Sequence, residues 1–312
     1  MTRKKIVVTG AAGLVGQNLV TLLEGRGDLD IVAIDKHRAN SAIFRRLHPD
    51  IAFVEADMAV PGDWARAFEG ADTVVLNHAQ IGALTEEPFI ANNVTATGHV
   101  LAAAGAAGVP YIVHISSSVL NSAAEDFYVS SKTAQERMVR DGPIPAVVLR
   151  PTLMYGWFDR KHLGWLARFM KRSPVFPVPN HGKYIRQPLY VRDFCAIIAA
   201  CIDTPRPGEV FDISGQEKHA YIDIIRGVKR ASGAGAMIVR IPFGLFWWLL
   251  KIYGWLDRDP PFTPTQLEAL VIPEEFPVID WPGIFGVRAT PMHEALDETF
   301  GHPDYSEVVL EF

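Results

Sequence analysis

A doubly wound parallel α/β sheet is the fold predicted from this 312-residue sequence, and three observations predict it. Short Val/Ile runs alternate with longer helical patterns through the first half, the rhythm of βαβ units. A glycine-rich turn, VTGAAGLVG, follows the first such run and opens the first helical pattern. After Arg150 the alternation is lost and prolines cluster in SPVFPVPNHG and RDPPFTPTQ, which marks a smaller C-terminal region folded over the mouth of the sheet. The fold class is therefore α/β and Rossmann-like. Residues 1–150 form the sheet domain, and residues 151–312 mainly the smaller region, with segments that return to the sheet.

Taken in order, strands are predicted near Lys5–Val8, Ile31–Ile34, Ala52–Val54, Thr73–Leu76, Tyr111–Ile115 and Ala146–Leu149. Each is a short run rich in β-branched or aliphatic residues, as a strand covered on both faces requires. Between them, LVGQNLVTLLEGRG and NNVTATGHVLAAAGAAG carry apolar residues at helical spacing and end at glycines, the usual helix stop.

Composition excludes several classes of function. With 49% hydrophobic and 21% charged residues and a formal net charge of −5, the chain has no basic footprint for nucleic acid. The start, MTRKKIVVTGAAG, lacks the apolar core of a signal peptide. Cys195 and Cys201 lie six apart in a predicted helix, a separation that neither closes a disulfide nor makes a metal site; a reduced, cytoplasmic setting and no metal are expected. The most apolar window, Ile241 to Leu256, is interrupted by Lys251 and two glycines and is too short to span a bilayer.

The glycine turn sets Gly10, Gly13 and Gly16 in a G-x-x-G-x-x-G spacing. Residues without Cβ let backbone N–H groups and a helix N-terminus press against a pyrophosphate. Asp35 follows 19 residues after Gly16, at the end of the second strand. A carboxylate there accepts bonds from ribose hydroxyls and repels a 2′-phosphate, so NAD is expected over NADP, although Lys36, His37 and Arg38 follow directly. Asp57, after the third strand, is placed either to reach the adenine amino group or to cap a helix.

Six motifs stand in register along the chain: TGAAGLVG, NNVTAT, VHISSS, YVSSK, RPTLMYG and RQPLYVRD. Together they resemble those of the extended branch of the short-chain dehydrogenase/reductase family, which includes nucleotide-sugar epimerases, dehydratases and 4-keto reductases. The resemblance implies a catalytic trio of Ser117, Tyr128 and Lys132, with Ser118 beside the substrate and Ser116 facing the core. It also implies cofactor contacts from Leu14, Val15, Met58, His78, Asn93 and Pro151, and from Tyr128 and Lys132. On a helix, Lys132 shares a face with Tyr128, and its ammonium together with a cationic nicotinamide is expected to lower the tyrosine pKa.

Three departures from the family pattern bear on the substrate. Tyr128 lies only 11 residues after Ser117, where sugar-modifying relatives have a longer connection. LNHAQ puts the bulky His78 where a small residue usually lies against the cofactor; alternatively it is a hydrogen-bonded wall residue. The Asp-Glu pair of the 4,6-dehydratases is missing after Ser117, so dehydration is not expected, and Glu125 and Asp126 are read as helix N-terminal charges.

On the substrate side, Arg186 matches the family arginine that grips a nucleotide-sugar phosphate, with Arg258 as a further phosphate ligand and Tyr155 and Trp157 lining the pocket or packing in the core. A nucleotide sugar is thus the expected substrate. IPFGLFWWLLKIYGWL suggests a rival, a hydroxysteroid or lipid alcohol, with Phe243, Phe246, Trp247, Leu250 and Trp255 bordering an apolar tunnel or resting on a membrane. The tail LEALVIPEEFPVIDWPGIFGVRATPMHEAL resembles members associated with respiratory complex I, a third and non-catalytic reading. Helices at Phe89–Gly105 and Tyr128–Arg140 resemble the pair through which family members form homodimers.

Overall fold

The computed structural model describes residues 3–121, 126–256 and 264–311. Its first half alternates β1 (Lys4–Thr9), α1 (Leu14–Leu23), β2 (Leu29–Asp35), α2 (Arg38–Leu47), β3 (Ala52–Glu55) and β4 (Thr73–Leu76). A helical run then passes from α3 (Glu87–Phe89) through a π-helical stretch, Ile90–Thr95, into α4 (Ala96–Ala106). β5 (Ile112–Ile115), α5 (Phe127–Arg140) and β6 (Ala146–Pro151) complete this half. The six predicted strands are all present. Ile6, Val7 and Val8 are fully buried, as are Val74, Val75 and Leu76, because helices cover both faces of the sheet.

The second half contains β7 (Met154–Tyr155), α6 (Leu163–Arg172), β8 (Val175–Pro179), β9 (Ile185–Arg186), β10 (Leu189–Tyr190) and α7 (Val191–Asp203). β11 (Val210–Ile213), β12 (His219–Ala220), α8 (Tyr221–Ser232), β13 (Met237–Ile241), α9 (Phe243–Leu256), α10 (Pro264–Val271), α11 (Trp281–Phe285) and α12 (Met292–Gly301) follow. β11 returns to the main sheet beside β6, giving seven strands in the order β11-β6-β5-β4-β1-β2-β3, paired in parallel throughout.

Two cores flank this sheet. α1 and α7 pack with one face of it, around Leu19, Val20, Phe194 and Ile198; α4 and the 3-10 segment Asp63–Phe68 pack with the other, around Val100, Phe68 and Val139. A third core, built from α6, α8, α12 and the β8–β13 pair, belongs to the C-terminal region. Strand order reverses between β1 and β4, so a crevice opens at their carboxyl ends. No helix among the described residues is long and apolar enough to cross a membrane.

Candidate active site

The glycine turn lies at that crevice. Gly10 has φ of +65°, and a Cβ there would stand 2.7 Å from the Cα of His78. A Cβ on Gly16 would stand 2.5 Å from Cα and carbonyl oxygen of Ala11. Both positions therefore exclude a side chain on steric grounds. At Gly13, the N-cap of α1, an added Cβ would meet nothing nearer than the Gly10 carbonyl at 3.4 Å. The helix thus begins, through Leu14 and the buried Val15, on an open cradle of backbone N–H groups that fits a dinucleotide pyrophosphate.

Asp35 ends β2 beside this cradle. Its Oδ2 accepts from Ala12 N at 2.9 Å and its Oδ1 from His37 N at 2.8 Å. Burial raises its pKa, opposed by bonds from the backbone N–H groups of His37 and Ala12. Lys36 does not flank the carboxylate: its Nζ donates to Asp57 Oδ2 at 3.0 Å and to Asn92 Oδ1 at 2.5 Å. Asp57 neither caps a helix nor stands free, because its Oδ1 closes a turn on Ala59 N at 2.9 Å. Burial pushes the Asp57 pKa up, but the Ala59 and Lys36 bonds outweigh it and the net shift is downward. Met58 beside it is buried.

His78 corrects the expectation of an imidazole lying against the cofactor. Its backbone borders Gly10, but its ring turns into the protein, with Nδ1 2.9 Å from Thr9 Oγ1 and Nε2 3.1 Å from Thr97 Oγ1. Both ring nitrogens thus have a threonine hydroxyl as partner, and Thr9 Oγ1 also lies 3.3 Å from the Val75 carbonyl. Burial, reinforced by Lys132 and Lys36, lowers the His78 pKa to about 3. The ring is a neutral wall residue. Asn93 is likewise engaged: it accepts from Gln80 N at 2.6 Å and donates to Ser131 Oγ at 2.9 Å, which fastens the segment after β4 to α5.

The serine–tyrosine–lysine group gathers at the carboxyl ends of β5 and β6. Asp126 caps α5 by accepting from Val129 N at 2.8 Å, which starts the helix one residue before Tyr128; Glu125 lies outside the described residues. Ser116 turns inward to Glu136 at 2.6 Å, leaving Ser117, which hydrogen-bonds the Tyr128 hydroxyl. Ser118 is buried at the start of the next turn, and Pro151 closes β6 beside Ile213 of β11.

Without a nicotinamide beside it, the Tyr128 hydroxyl is held above its ordinary pKa range by its own surroundings. Burial raises it, the Ser117 bond opposes, and Asp126 raises it further. Lys132 sends its ammonium elsewhere, to the Ile115 carbonyl at 2.9 Å and to Gln135 Oε1 at 2.5 Å. Burial lowers the pKa of this lysine to about 7, with Glu136 opposing. Gln135 in turn donates to Thr97 Oγ1 at 2.9 Å and to the His78 carbonyl at 3.2 Å. Sequence reasoning missed Gln135, Thr97 and Thr9; only Gln135, one turn after Lys132, had a helical-spacing signal.

Beyond the crevice lies a cavity of about 1170 Å³ between α6, α8, α9 and α10. Phe169, Phe176, Leu166, Ile224, Phe246 and Leu250 supply apolar wall, and Leu153, just past β6, lines it as well; no residue of the glycine turn or of the Ser-Tyr-Lys group does. Arg186 lines it too, but its guanidinium is held by the carbonyls of Leu270 and Ile272, with Glu274 3.7 Å away. Tyr155 and Trp157 are core residues: Tyr155 packs on Tyr190 with ring centroids 5.6 Å apart, and Trp157 donates to the Glu298 carbonyl at 3.0 Å. Arg258 lies outside the described residues. Arg160, Lys161 and Arg168 also border the cavity. Burial lowers the pKa of all three, with mutual repulsion adding to it at Arg160 and Lys161. The adjacent Arg160 and Lys161 ahead of an amphipathic helix were the missed sequence signal.

A doubly wound sheet with a glycine cradle, an acidic residue ending β2 and a Ser-Tyr-Lys group at β5 and α5 defines an NAD-dependent enzyme of the short-chain dehydrogenase/reductase type. The chain belongs to the NAD dependent epimerase/dehydratase family, whose model matches residues 6–214. It is similar to the ceramide reductase of Caulobacter vibrioides, 29% identical over 242 residues that cover 77% of this chain and 74% of that protein. It is also similar to the UDP-glucose 4-epimerase of Vibrio cholerae, 24% identical over 277 residues covering 80% and 81%. Among solved structures, UDP-glucuronic acid 4-epimerase from Bacillus cereus with NAD superposes at a TM-score of 0.73 and 20% identity, covering 96% of this chain and 98% of that one.

Proposed function

We propose that this chain catalyses NAD-dependent hydride transfer at a carbinol or keto carbon, and that its substrate is a long-chain lipid alcohol or ketone. The observation that carries the chemistry is the Tyr128 hydroxyl bonded to Ser117, one helical turn from Lys132 and at the crevice where the glycine cradle opens. NAD, when bound, would accept hydride from a carbinol or, as NADH, deliver it to a ketone. Tyr128 would take the carbinol proton or return one to the ketone oxygen, Ser117 would hold that oxygen, and Lys132 would be the residue to hold the nicotinamide ribose. Asp35 selects NAD, a reading supported by the pairing of Lys36 with Asp57.

The lipid class is supported by the aromatic and aliphatic walls of the cavity, by the engagement of Arg186 with backbone carbonyls, and by the likeness to a ceramide reductase. A specific observation favours the nucleotide sugar as a second reading: Arg160 and Lys161 stand together on one side of the same cavity and suit a diphosphate, although Arg168 beside them is held by the carbonyls of Asp159 and Arg160; the likeness to a UDP-glucose 4-epimerase supports the same reading. Following NADH consumption with a long-chain β-keto amide in mixed micelles, beside UDP- and dTDP-4-keto sugars, tests the choice. Turnover of the keto amide alone is expected; turnover of a sugar nucleotide alone selects the second reading.

We further infer a two-fold homodimer built on the α3–α4 run and α5, supported by the exposed apolar Ile90 and Phe127 on those elements, and a reducing cytoplasmic setting, supported by the unpaired Cys195 and Cys201. Sedimentation giving a strict monomer at micromolar concentration would overturn the dimer.

A further inference from the structure

We propose that α9 docks this protein on an anionic lipid bilayer. The helix has two apolar faces. Phe246 and Leu250 turn inward and wall the large cavity. On the opposite side Leu245, Trp248, Leu249, Ile252 and Trp255 stand exposed, at spacings of three and four residues that align them in one stripe. A buried helix needs one apolar face; the second has no partner among the described residues and includes a tryptophan that is 78% exposed.

The surrounding charge indicates what covers it. The segment 237–256 contains Arg240 and Lys251 but no Asp or Glu, with Asp257, Arg258 and Asp259 following it, and the segment 173–192 has no carboxylate and contains Lys183 besides Arg186 and Arg192, which pair with Glu274 and Glu298 within the fold. These segments meet at the base of α9, where Asn180 Oδ1 accepts from Phe243 N at 2.9 Å and Asn180 N donates to the Ile241 carbonyl at 2.7 Å. Lys183 and Arg240, both exposed, therefore flank the start of the stripe. Lys251 lies along its edge, with Nζ 4.7 Å from the ring centroid of Trp247 and 5.6 Å from that of Trp248. The one described carboxylate bonded to the helix, Glu268, accepts from Trp247 Nε1 at 2.8 Å, away from the stripe. Apolar side chains and indoles bordered by cations, on a helix too short to span, form the pattern of a helix lying in the plane of an anionic headgroup layer.

Docking rests on the stripe and its charges alone. Its consequence rests on the lipid reading above: α9 walls the cavity with Phe246 and Leu250, so the chain of a bound lipid would leave the bilayer into an apolar cavity rather than into water.

The test is flotation of the full-length protein with phosphatidylcholine vesicles, with or without phosphatidylglycerol. The wild type is expected to float with the anionic vesicles and much less with the neutral ones. Trp248→Ser/Trp255→Ser, confirmed as folded by an unchanged NAD titration, is expected to lose about tenfold or more of that partitioning. Lys183→Glu/Arg240→Glu, which leaves the stripe intact, is expected to lose the preference for phosphatidylglycerol. Should the double tryptophan variant misfold, a blue shift of wild-type tryptophan emission on adding anionic vesicles carries the same expectation. Absence of wild-type flotation, flotation unchanged in the tryptophan variant, or a wild-type self-associated species that this variant abolishes overturns the proposal. Flotation without turnover of any lipid ketone supports docking and removes only the lipid-substrate reading.

Discussion

Lys132 meets Gln135 within one turn of α5, Nζ to Oε1 at 2.5 Å, and so holds its ammonium beneath the sheet end rather than on the tyrosine one turn earlier. Both groups are buried, and Gln135 ties them onward to Thr97 and His78. The lysine is thereby fixed at the level of the crevice floor, while Tyr128 points its hydroxyl at Ser117.

In the function proposed above, removing the Tyr128 hydroxyl deletes the proton shuttle and little else. Tyr128→Phe should cut turnover by at least about a hundredfold while leaving NAD affinity nearly intact. Single-turnover hydride transfer and an NAD titration check this, and rates near those of the wild type would refute the assignment.

Gln135→Leu would leave the buried Lys132 ammonium and the Thr97 hydroxyl short of a partner. The expected cost is about 1–3 kcal/mol of stability in urea unfolding, together with weaker NAD binding from a displaced ammonium. A variant as stable as the wild type would show that the network contributes nothing net.

Stability should rise with pH across the range in which Lys132 titrates. Its folded pKa of about 7 lies below its ordinary 10.5, so between those values the unfolded chain binds a proton the fold has released, and below them the full penalty remains. His78 acts in the same direction at lower pH: with a folded pKa of about 3 against 6.5, it lets stability fall as acid charges the unfolded chain first. Urea unfolding at pH 7 and pH 9 should show the wild type gaining on Lys132→Met, and a pH-independent difference would count against the buried lysine.

Asp35 joins the β2 end to the glycine turn through Ala12 N. Asp35→Ala should weaken NAD and relax discrimination against NADP, measured as the ratio of kcat/KM for the two cofactors. A wild type that already prefers NADP would contradict this reading of the strand end.

Gly16→Ala sets a methyl 2.5 Å from the Ala11 backbone, where no flexible side chain can yield. A loss of about 1–3 kcal/mol is expected from overpacking, read as a lowered urea midpoint with NAD affinity falling alongside. Gly13→Ala, whose nearest neighbour is 3.4 Å away, should instead keep stability and lose cofactor affinity.

The sheet was legible because its signal is local. Six Val/Ile-rich runs and the glycine spacing specify strand, turn and helix within a few residues of each other, and helix periodicity alone sets Tyr128 and Lys132 on one face. Ser116 and Ser117 also separated as expected, since alternation at a strand end sends neighbours to opposite sides. Side-chain partners across the fold were not legible. Lys132 could be paired with Tyr128 by spacing, yet the ammonium goes to Ile115 and Gln135 because burial makes unmet hydrogen bonds costly and those acceptors lie nearer. His78 turned inward for the same reason, toward two threonines 69 and 19 residues away in the chain. The sequence by itself thus determined the architecture, the glycine turn at the mouth of the sheet and the shared helix face of Tyr128 and Lys132. Only the tertiary structure decided that Arg186 is spoken for by carbonyls some 85 residues away and that the C-terminal helices enclose a large apolar cavity, because long-range packing chooses among partners that local spacing leaves equivalent.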